Sequence, residues 1–312
     1  YELMPSLVGS EMCIRDRHIE TLLTAWRRAV GKREPDLKSL YMATLTLTRM
    51  AQGGLYDHLA GGFFRYSVDR HWAIPHFEKM LYDNAALITV FADAHAATGE
   101  DLFGRIAAET ADWGIRDMQH SNGGYYATLD ADSEGEEGKY YLWTPAEAQA
   151  TLDPSELMVS GEHFGLTGEP NFEGKSWHLQ VRTSLDALDK EVTTEEAAKL
   201  LTSARGKLLA AREKRVSPGR DEKVLVAWNG LMIRAMARAA SHLDRADLAA
   251  SATRAVDFIR TKMWNDGRLL ASYKDDRARF PAYLDDYAFL AEGLLELLQS
   301  RWRSSDLSLI HI

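Results

Sequence analysis

The chain has 312 residues, of which 46% are hydrophobic and 27% are charged, a composition typical of globular proteins. Its length suits one large domain or two small ones. The formal net charge of −9 and the isoelectric point near 5.6 exclude the basic footprint of a protein that binds nucleic acid or anionic lipid. No stretch is long and apolar enough to span a membrane. We therefore expect a cytoplasmic protein without nucleic-acid or membrane partners.

Both ends of the chain differ in character from the middle. Residues 1–17 and 303–312 resemble translated sequencing adapters, which occur at the edges of metagenomic gene fragments. Residues 1–17 also lack the charged, apolar and small-residue regions of a signal peptide. We expect both segments to be adapter-like or disordered and to make few buried contacts, so that residues 18–302 form the domain. Ordinary disordered termini are the alternative.

The cysteine content restricts the chemistry of the domain. The only cysteine, Cys13, lies in the adapter-like N-terminal segment. We therefore expect no disulfide, no cysteine-based zinc site and no thiol catalysis in residues 18–302.

Helical periodicity dominates the chain. Apolar residues recur at three- and four-residue spacing in the segments 18–30, 36–51, 80–97, 102–119, 193–211, 224–243, 246–263 and 284–300. Gly31 and Gly99 stand where helix-ending glycines belong. Capping boxes are predicted at Thr144–Glu147 and Thr193–Glu196. Strand signals are confined to the loops, at residues 63–68, 124–129 and 139–143.

Three of the predicted helices open with similar sequences. Leu81–Leu87, Val226–Met232 and Leu284–Leu290 each begin with polar or aromatic residues, continue with a small residue and then turn apolar. Such repeats are typical of stacked helical hairpins, although generic amphipathic helices are the alternative. We predict that the loops before these helices open on one face, where helix N-termini favour anions or hydroxyl-rich ligands. We also predict close helix packing at the small residues, which are Ala85, Gly230 and Ala288.

The connection between the second and third predicted helices is the most informative segment. Residues 53–84 combine many aromatic residues with His, Arg, Asp and Glu. A connection of this length without periodic structure is rare in a compact domain unless it is functional. Its composition is typical of a pocket in which apolar walls hold a few polar groups.

The chain resembles the helical domain of the thioredoxin-domain-containing family that includes spermatogenesis-associated protein 20. The resemblance runs from about His18 to Trp302 and is carried by residues 53–84, 123–135, 140–144, 221–232 and 283–290. It implies an all-α fold, an (α/α)6 toroid similar to sugar 2-epimerases and six-hairpin glycosidases, with short β-hairpins in the loops on one face. The family's N-terminal thioredoxin-like domain is missing from this sequence. The resemblance therefore implies an incomplete toroid whose partner in cis is that domain.

His76 and Glu78 are the first candidates for acid/base catalysis. An imidazole donates and accepts protons near neutral pH, and a carboxylate can orient it. The resemblance supports this role because the related epimerases use histidines, whereas a scaffold contact is the alternative. Asp83 and Asp286 are the candidate catalytic carboxylates, since glycoside hydrolysis needs two carboxyl groups across the scissile bond. Helix capping is the alternative for one of the adjacent pair Asp285 and Asp286.

Candidate substrate-binding residues lie in the same segments. Aromatic side chains could offer flat faces to a sugar ring, or they could belong to the core. Arg65 could clamp an anionic group, or it could pair with Asp57 or Asp69. The candidates for substrate binding are Asp57, His58, Arg65, Tyr82, Trp228, Asn229, Asp285 and Tyr287. We predict that one cavity contains His76, Glu78, Asp83, Trp228, Asn229, Asp286 and Tyr287.

Neither a metal nor a cofactor is expected. The turn Asp130–Gly135 begins like an EF-hand loop, but the twelfth position falls on Tyr141 instead of a bidentate Glu. An acidic turn that lines the pocket is the preferred interpretation. The leading hypothesis is a carbohydrate-active enzyme of the sugar epimerase or isomerase type with a sugar-like ligand. The alternatives are a non-catalytic module that works with a thioredoxin-like redox domain, and a glycoside hydrolase.

Overall fold

The computed structural model of the chain describes residues 12–32, 34–188 and 192–310. The chain divides into two compact units. As far as the described ranges extend, the first unit contains residues 49–78 and 130–219, and the second contains residues 12–48, 79–129 and 220–310. No helix in these ranges has both the length and the apolar character that crossing a bilayer requires.

Helical hairpins build the second unit. Numbered in chain order, its elements start with α1 (Met12–Ala29) and α2 (Leu37–Gln52), which begins in this unit. The hairpins pair α3 (Leu81–Thr98) with α4 (Asp101–Trp113), α8 (Val226–Leu243) with α9 (Ala246–Phe258), and α10 (Leu284–Ser300) with α11 (Ser304–Ile310). α8 packs against both α3 and α10. α3 and α8 bury residues around most of their circumference, as central helices do, whereas α4 and α9 bury one side.

α4 and α9 end in the same way. Each passes into a five-residue π-helical segment, Gly114–Met118 after α4 and Ile259–Met263 after α9. The last residue of each segment, Met118 or Met263, is fully buried. Because π-helical turns are rare, their occurrence at the same place in two hairpins indicates a shared design.

Short antiparallel strands surround the starts of the helices in the second unit. β3 (Lys79–Met80), β4 (Thr128–Leu129) and β7 (Arg220–Asp221) form one sheet, with Met80 opposite Thr128 and Thr128 opposite Asp221. The other sheet has the order β11 (Arg277–Pro281), β10 (Arg268–Lys274) and β8 (Val224–Leu225), and β9 (Trp264–Asn265) also pairs with β10. β3 and β8 continue directly into α3 and α8, so the sheets fix where these helices begin.

The first unit combines three helices with two short hairpins. Its helices are α5 (Pro145–Thr151), α6 (Pro154–Phe164) and α7 (Thr194–Arg212). Its strands are β1 (Tyr66–Ser67), paired with β2 (Pro75–His76), and β5 (Asp132–Ser133), paired with β6 (Glu136–Glu137). The helices pack around an apolar core that includes Trp143, Phe164, Trp177, Leu201 and Leu208.

Seven of the eight predicted helices are confirmed at close to their predicted boundaries, whereas α1 begins at Met12, six residues before the predicted start and inside the segment expected to be adapter-like or disordered. The sequence did not predict α6 and α11. Both capping boxes form, since Glu147 and Glu196 return hydrogen bonds to Thr144 and Thr193. Gly99 ends α3 with a φ of 74°, as expected of a helix-ending glycine. The predicted strand at 139–143 is wrong, because Tyr141 and Leu142 both donate their N–H groups to the Gly138 carbonyl in a turn. The longest strands, β10 and β11, were not predicted.

The C-terminal segment corrects a second expectation. Residues 303–312 were expected to make few buried contacts, and for residues 303–310 this is wrong. Asp306 is fully buried and forms salt bridges with three guanidinium groups, at 2.6 Å from Arg260, 2.6 Å from Arg301 and 2.7 Å from Arg303. The origin of both terminal segments stays a prediction, and residues 1–11 lie outside the described residues.

Candidate functional site

A cluster of charged side chains surrounds His76 in the first unit. The pairing of β1 with β2 places His76 directly opposite Tyr66, and the two rings stack with centroids 5.0 Å apart and planes 24° apart. His76 Nδ1 lies 2.6 Å from Glu137 Oε1, and His76 Nε2 lies 3.9 Å from Glu78 Oε2. Arg65 Nη1 donates to Glu78 Oε2 at 2.9 Å. We call Arg65, Tyr66, His76, Glu78 and Glu137 the histidine cluster.

The turn between β1 and β2 holds the two strands in register. Asp69 accepts hydrogen bonds from the backbone N–H groups of His71, Ala73 and Ile74, at distances between 2.6 and 3.3 Å. A carboxylate that satisfies several successive N–H groups folds a short loop tightly. The position of the strand that carries His76 is therefore fixed by hydrogen bonds between Asp69 and the backbone, which do not involve the imidazole.

The histidine cluster is suited to proton transfer. Its side chains are partly open, with exposed fractions of 27% for His76, 21% for Glu78 and 28% for Arg65. When Nδ1 is protonated and bonded to Glu137, Nε2 is left to accept a proton, and the nearby Glu78 stabilises the imidazolium that results. The arrangement can thus take up a proton and return it.

Asp57 and His58, two predicted substrate-binding residues, are buried in the first unit. Arg212 donates to both carboxylate oxygens of Asp57, at 2.8 and 2.9 Å. His58 Nε2 lies 2.9 Å from the Gly53 carbonyl, and the His58 carbonyl accepts a bond from Arg205 at 2.7 Å. Burial lowers the pKa of His58 to about 3, so the ring is neutral at pH 7. This geometry is that of structural groups, and the binding role of both residues stays a prediction.

A groove in the second unit contains other predicted site residues. It has a volume of about 1170 Å³ and runs along α1, α3, α8 and α10. Tyr82 and Trp228, from the first turns of α3 and α8, pack edge to face with centroids 4.8 Å apart. Asp285, from the first turn of α10, lines the same groove, as does Arg234, which forms salt bridges with Glu20 and Glu292. We call this the aromatic groove.

Two further predicted residues of the second unit, Asn229 and Asp286, form hydrogen bonds with backbone groups near the starts of α8 and α10. Asn229 is fully buried and bonds both the N–H and the carbonyl of Tyr125, at 2.8 and 3.0 Å. Asp286 accepts from the N–H groups of Ala227 and Tyr283, both at 2.8 Å, so the capping role expected of one member of the pair belongs to Asp286. Burial raises the pKa of Asp286 above its ordinary value.

Asp83 and Tyr287, the last two residues predicted to share the cavity, differ in exposure. Asp83 is buried in the first turn of α3, where 1% of its surface is exposed, whereas Tyr287 is 43% exposed on α10. The structure thus brings together Arg65, His76 and Glu78 in one unit, and Tyr82, Trp228 and Asp285 in the other. Convergence of seven residues on one cavity stays a prediction.

Sequence reasoning did not identify Glu137 or Tyr66 as members of the site. The signal for Glu137 was the acidic turn after Asp130, which was expected to line the pocket, and Glu137 stands just beyond that turn in β6. The signal for Tyr66 was the alternation in residues 63–68. In neither case does the sequence show the strand register that brings these side chains to His76.

Three curated relatives resemble the chain in sequence. Spermatogenesis-associated protein 20 of Rattus norvegicus is 37% identical over 300 residues, which cover 85% of this chain and 38% of the relative. The Homo sapiens protein is 35% identical over 301 residues, with the same coverage of 85% and 38%. An uncharacterized protein of Caenorhabditis elegans is 29% identical over 293 residues, covering 83% of this chain and 40% of the relative. The chain therefore spans about two fifths of the length of these relatives. No family model matches it.

Two solved structures resemble the chain in fold. A family 76 glycoside hydrolase from a bovine Bacteroides thetaiotaomicron strain has a TM-score of 0.53 and 12% identity, with coverage of 97% of this chain and 46% of that chain. An unsaturated glucuronyl hydrolase from Bacillus sp. GL1 has a TM-score of 0.50 and 14% identity, with coverage of 94% and 57%. At this identity the likeness concerns the fold alone. The chain is therefore homologous to spermatogenesis-associated protein 20, and its mostly helical fold is that of the six-hairpin, (α/α)6 class.

Proposed function

We propose that the chain is part of a carbohydrate-active enzyme of the sugar epimerase or isomerase type, in which His76 is the acid/base group. The observation that carries this proposal is the position of the imidazole, 2.6 Å from Glu137 at Nδ1 and 3.9 Å from Glu78 at Nε2. The proposal includes membership of the thioredoxin-domain-containing family and a thioredoxin-like domain as the partner in cis.

The proposed reaction needs one group that both accepts and donates a proton. His76 Nε2 removes the proton from the carbon beside the sugar carbonyl, and the electron pair of the C–H bond moves to the carbonyl oxygen as an enediolate. Return of a proton to the same carbon gives the epimer once the enediolate has turned its other face to His76. Return to the former carbonyl carbon gives the isomer, with the proton of the adjacent hydroxyl moving to the enediolate oxygen. Glu137 keeps the ring oriented, and Glu78 stabilises the imidazolium.

The aromatic groove supports a sugar as the ligand. Sugar rings expose C–H faces that pack on aromatic side chains, and their hydroxyl groups donate to carboxylates. Tyr82 and Trp228 offer such faces, and Asp285 supplies a carboxylate in the same groove. The fold shared with glycoside hydrolases adds an analogy, which concerns the fold and not the reaction.

The decisive assay is deuterium exchange in D₂O at the carbon beside the carbonyl of a panel of aldoses and ketoses, followed by NMR. We expect His76→Gln to lower exchange by about a hundredfold or more. Glu137→Gln should lower it less, because it removes an orienting group. His71→Gln is the matched control, since His71 is exposed in the same loop and lies outside the histidine cluster. If the intact protein that contains this chain exchanges none of these sugars, yet this face binds the thioredoxin-like domain or a separate partner, the binding-module alternative is established.

Glycoside hydrolysis is the second candidate, because Glu78 and Glu137 both contact the same imidazole. Two carboxyl groups are the requirement of that reaction. Release of new reducing ends from oligosaccharides, lost in both Glu78→Gln and Glu137→Gln, would favour the hydrolase. Loss of activity in His76→Gln without any reducing-end release would favour the epimerase or isomerase.

A further inference from the structure

We propose that the hairpin formed by β10 and β11 binds acidic saccharides, so that the substrate class of the proposed enzyme is a sugar chain with carboxylate or sulfate groups. This inference rests on the proposed function and adds the charge of the ligand to it. It is carried by Lys274, Arg277, Arg279 and Phe280, which we call the cationic hairpin.

The register of the hairpin places its basic side chains on one face. Lys274 pairs with Arg277, and Ser272 pairs with Arg279, in antiparallel strands. Directly opposed residues share a face, and residues two apart on a strand share it as well. Lys274, Arg277 and Arg279 therefore project from the same side of the ribbon, and all three are exposed.

Asp221, Asp275 and Asp276 lie close to the hairpin in the fold or the sequence, but the salt bridge that the described residues show is to Lys274 and not to the arginines. Lys274 Nζ lies 3.6 Å from Asp221, whose carboxylate is also bonded by Lys223 at 2.7 Å. Asp276, in the hairpin turn, accepts the hydroxyl of Tyr273, and Tyr273 alternates to the opposite face of β10. Among the described residues, the guanidinium groups of Arg277 and Arg279 form neither a salt bridge nor a hydrogen bond.

The basic side chains of the hairpin repel one another locally. Like charges directly opposite each other on paired strands are destabilising, as Lys274 and Arg277 are here. An anionic ligand placed between them would relieve that repulsion. Guanidinium groups match carboxylate and sulfate oxygens in a bidentate geometry, which a neutral sugar cannot offer.

Phe280, which follows Arg279 in β11, adds an exposed aromatic residue to the hairpin. Its side chain is 62% exposed, and its backbone has a φ of 62°, in the left-handed region that bulky residues rarely adopt. The β10–β11 pairing on either side, through Leu270 opposite Pro281 and Arg279 opposite Ser272, holds this conformation. Backbone strain that is kept at an exposed aromatic residue is typical of functional sites. An exposed aromatic residue in the same strand as Arg277 and Arg279 offers a surface for a sugar ring, which a simple anion would not need.

The cationic hairpin adjoins the aromatic groove within the second unit. β10 pairs with β8, which leads into α8 and thus to Trp228. β11 leads into α10, where Asp285 lines the groove four residues after Pro281. The hairpin and the groove are therefore joined through β8 and the start of α10.

Edge protection is the competing explanation. β11 is the edge strand of its sheet, and charged residues and proline commonly protect such edges from pairing with another chain. Either sign of charge would serve that purpose, and it would not require an exposed Phe280 with a strained backbone. The two explanations differ in what the removal of the arginines changes, namely ligand binding or self-association.

The test measures binding of a galacturonic acid hexasaccharide and of a neutral glucose hexasaccharide by calorimetry. We expect the acidic sugar to bind more tightly, with an affinity that falls as salt is added. The double variant Arg277→Gln/Arg279→Gln should lose at least about tenfold in affinity for the acidic sugar and little for the neutral one. Arg27→Gln/Lys262→Gln, which lowers the net charge equally at exposed positions, should stay within about twofold of the wild type. Phe280→Ala should weaken binding, and Phe280→Tyr should restore it.

The remaining outcomes overturn the inference in distinguishable ways. Equal binding of both hexasaccharides, or an unchanged double variant, shows that the hairpin does not select charge. Self-association of the double variant with binding intact establishes edge protection. Equal competition by inorganic sulfate at the same molar concentration shows a general anion site. If neutral sugars alone bind and exchange deuterium, the proposed function stands and this inference fails, whereas absence of binding and exchange with every sugar in the intact protein that contains this chain removes both.

Discussion

Gly230 of α8 lies against the backbone of Phe289 in α10. A Cβ atom built on Gly230 would lie 2.5 Å from the carbonyl carbon of Phe289 and 2.6 Å from the Leu290 nitrogen. On the other side, a Cβ atom on Gly293 would lie 2.6 Å from the Gly230 carbonyl oxygen. The two helices therefore touch backbone to backbone, and the close packing expected at Gly230 is confirmed.

Gly230→Ala should destabilise the protein by about 3 kcal/mol, because the added methyl group must separate two backbones that cannot move independently. Chemical unfolding followed by circular dichroism measures the change. Gly206→Ala is the control, since Gly206 lies inside α7 with no atom within 4 Å of the new Cβ, and it should stabilise the protein by about 0.5–1 kcal/mol. Equal stability of Gly230→Ala and wild type would contradict the packing described for α8 and α10.

Asp57→Asn should cost about 3–5 kcal/mol, because it leaves the guanidinium group of Arg212 buried without its charged partner. The side chains of both residues are 3% exposed. The control is Glu195→Gln, which breaks an exposed pair with Lys199 and should change stability by less than about 0.5 kcal/mol. Similar unfolding curves for the two variants would show that the buried pair contributes no more than an exposed one.

His58 should make stability fall in mild acid. The unfolded chain takes up the His58 proton near pH 6.5, whereas the folded chain takes it up near pH 3, so each step down in pH within that interval favours unfolding. The contribution between pH 6.5 and pH 4 is at most ~3 kcal/mol. His58→Gln keeps a donor for the Gly53 carbonyl and removes the titration. Its free energy of unfolding should vary less with pH than that of the wild type, and parallel profiles would disprove the assignment.

Trp228→Ala should weaken sugar binding by about three- to tenfold, because it removes one aromatic face of the groove. Trp302→Ala is the control, since Trp302 is 70% exposed and does not line the groove. Titration calorimetry with the neutral hexasaccharide measures both variants. An effect of the same size for Trp302 would mean that sugars bind exposed aromatic residues without preference.

Asp306→Ala should cost about 2 kcal/mol, because three arginine side chains lose a buried charged acceptor. Ser308→Ala, on an exposed position of the same helix, should cost less than about 0.5 kcal/mol. The sequence expectation was that the whole segment could be removed at such a small cost. Thermal unfolding of the two variants decides between that expectation and the buried contacts.

Most helices, although not α6 and α11, could be predicted from the sequence because their signals are local. The three similar openings mark the starts of α3, α8 and α10 at Leu81, Val226 and Leu284. Side-chain periodicity and capping residues act within a few positions, so such a helix can be recognised from its own segment of sequence.

The site and the longest hairpin depend on pairing between distant residues, which the sequence does not record. His76 meets Glu137 only because β2 and β6 end in the same place, 61 positions apart in the chain. The β10–β11 turn uses Asp275 and Asp276 with φ of 51° and 56°, where Asn-Gly or Asp-Gly would have signalled a hairpin. Exposed strand residues such as Arg277 and Arg279 also hide the alternation that predicts strands.

The matching ends of α4 and α9 bear on how this protein can be cut and rejoined. In both hairpins the α-helix continues into a π-helical segment whose last residue is a buried methionine, Met118 or Met263. A boundary placed at Trp113 or Phe258, where regular α-helix stops, would separate each helix from the methionine that anchors it. Deletions, chimaeras and circular permutants should therefore treat a hairpin together with its wide final turn as the smallest transferable piece.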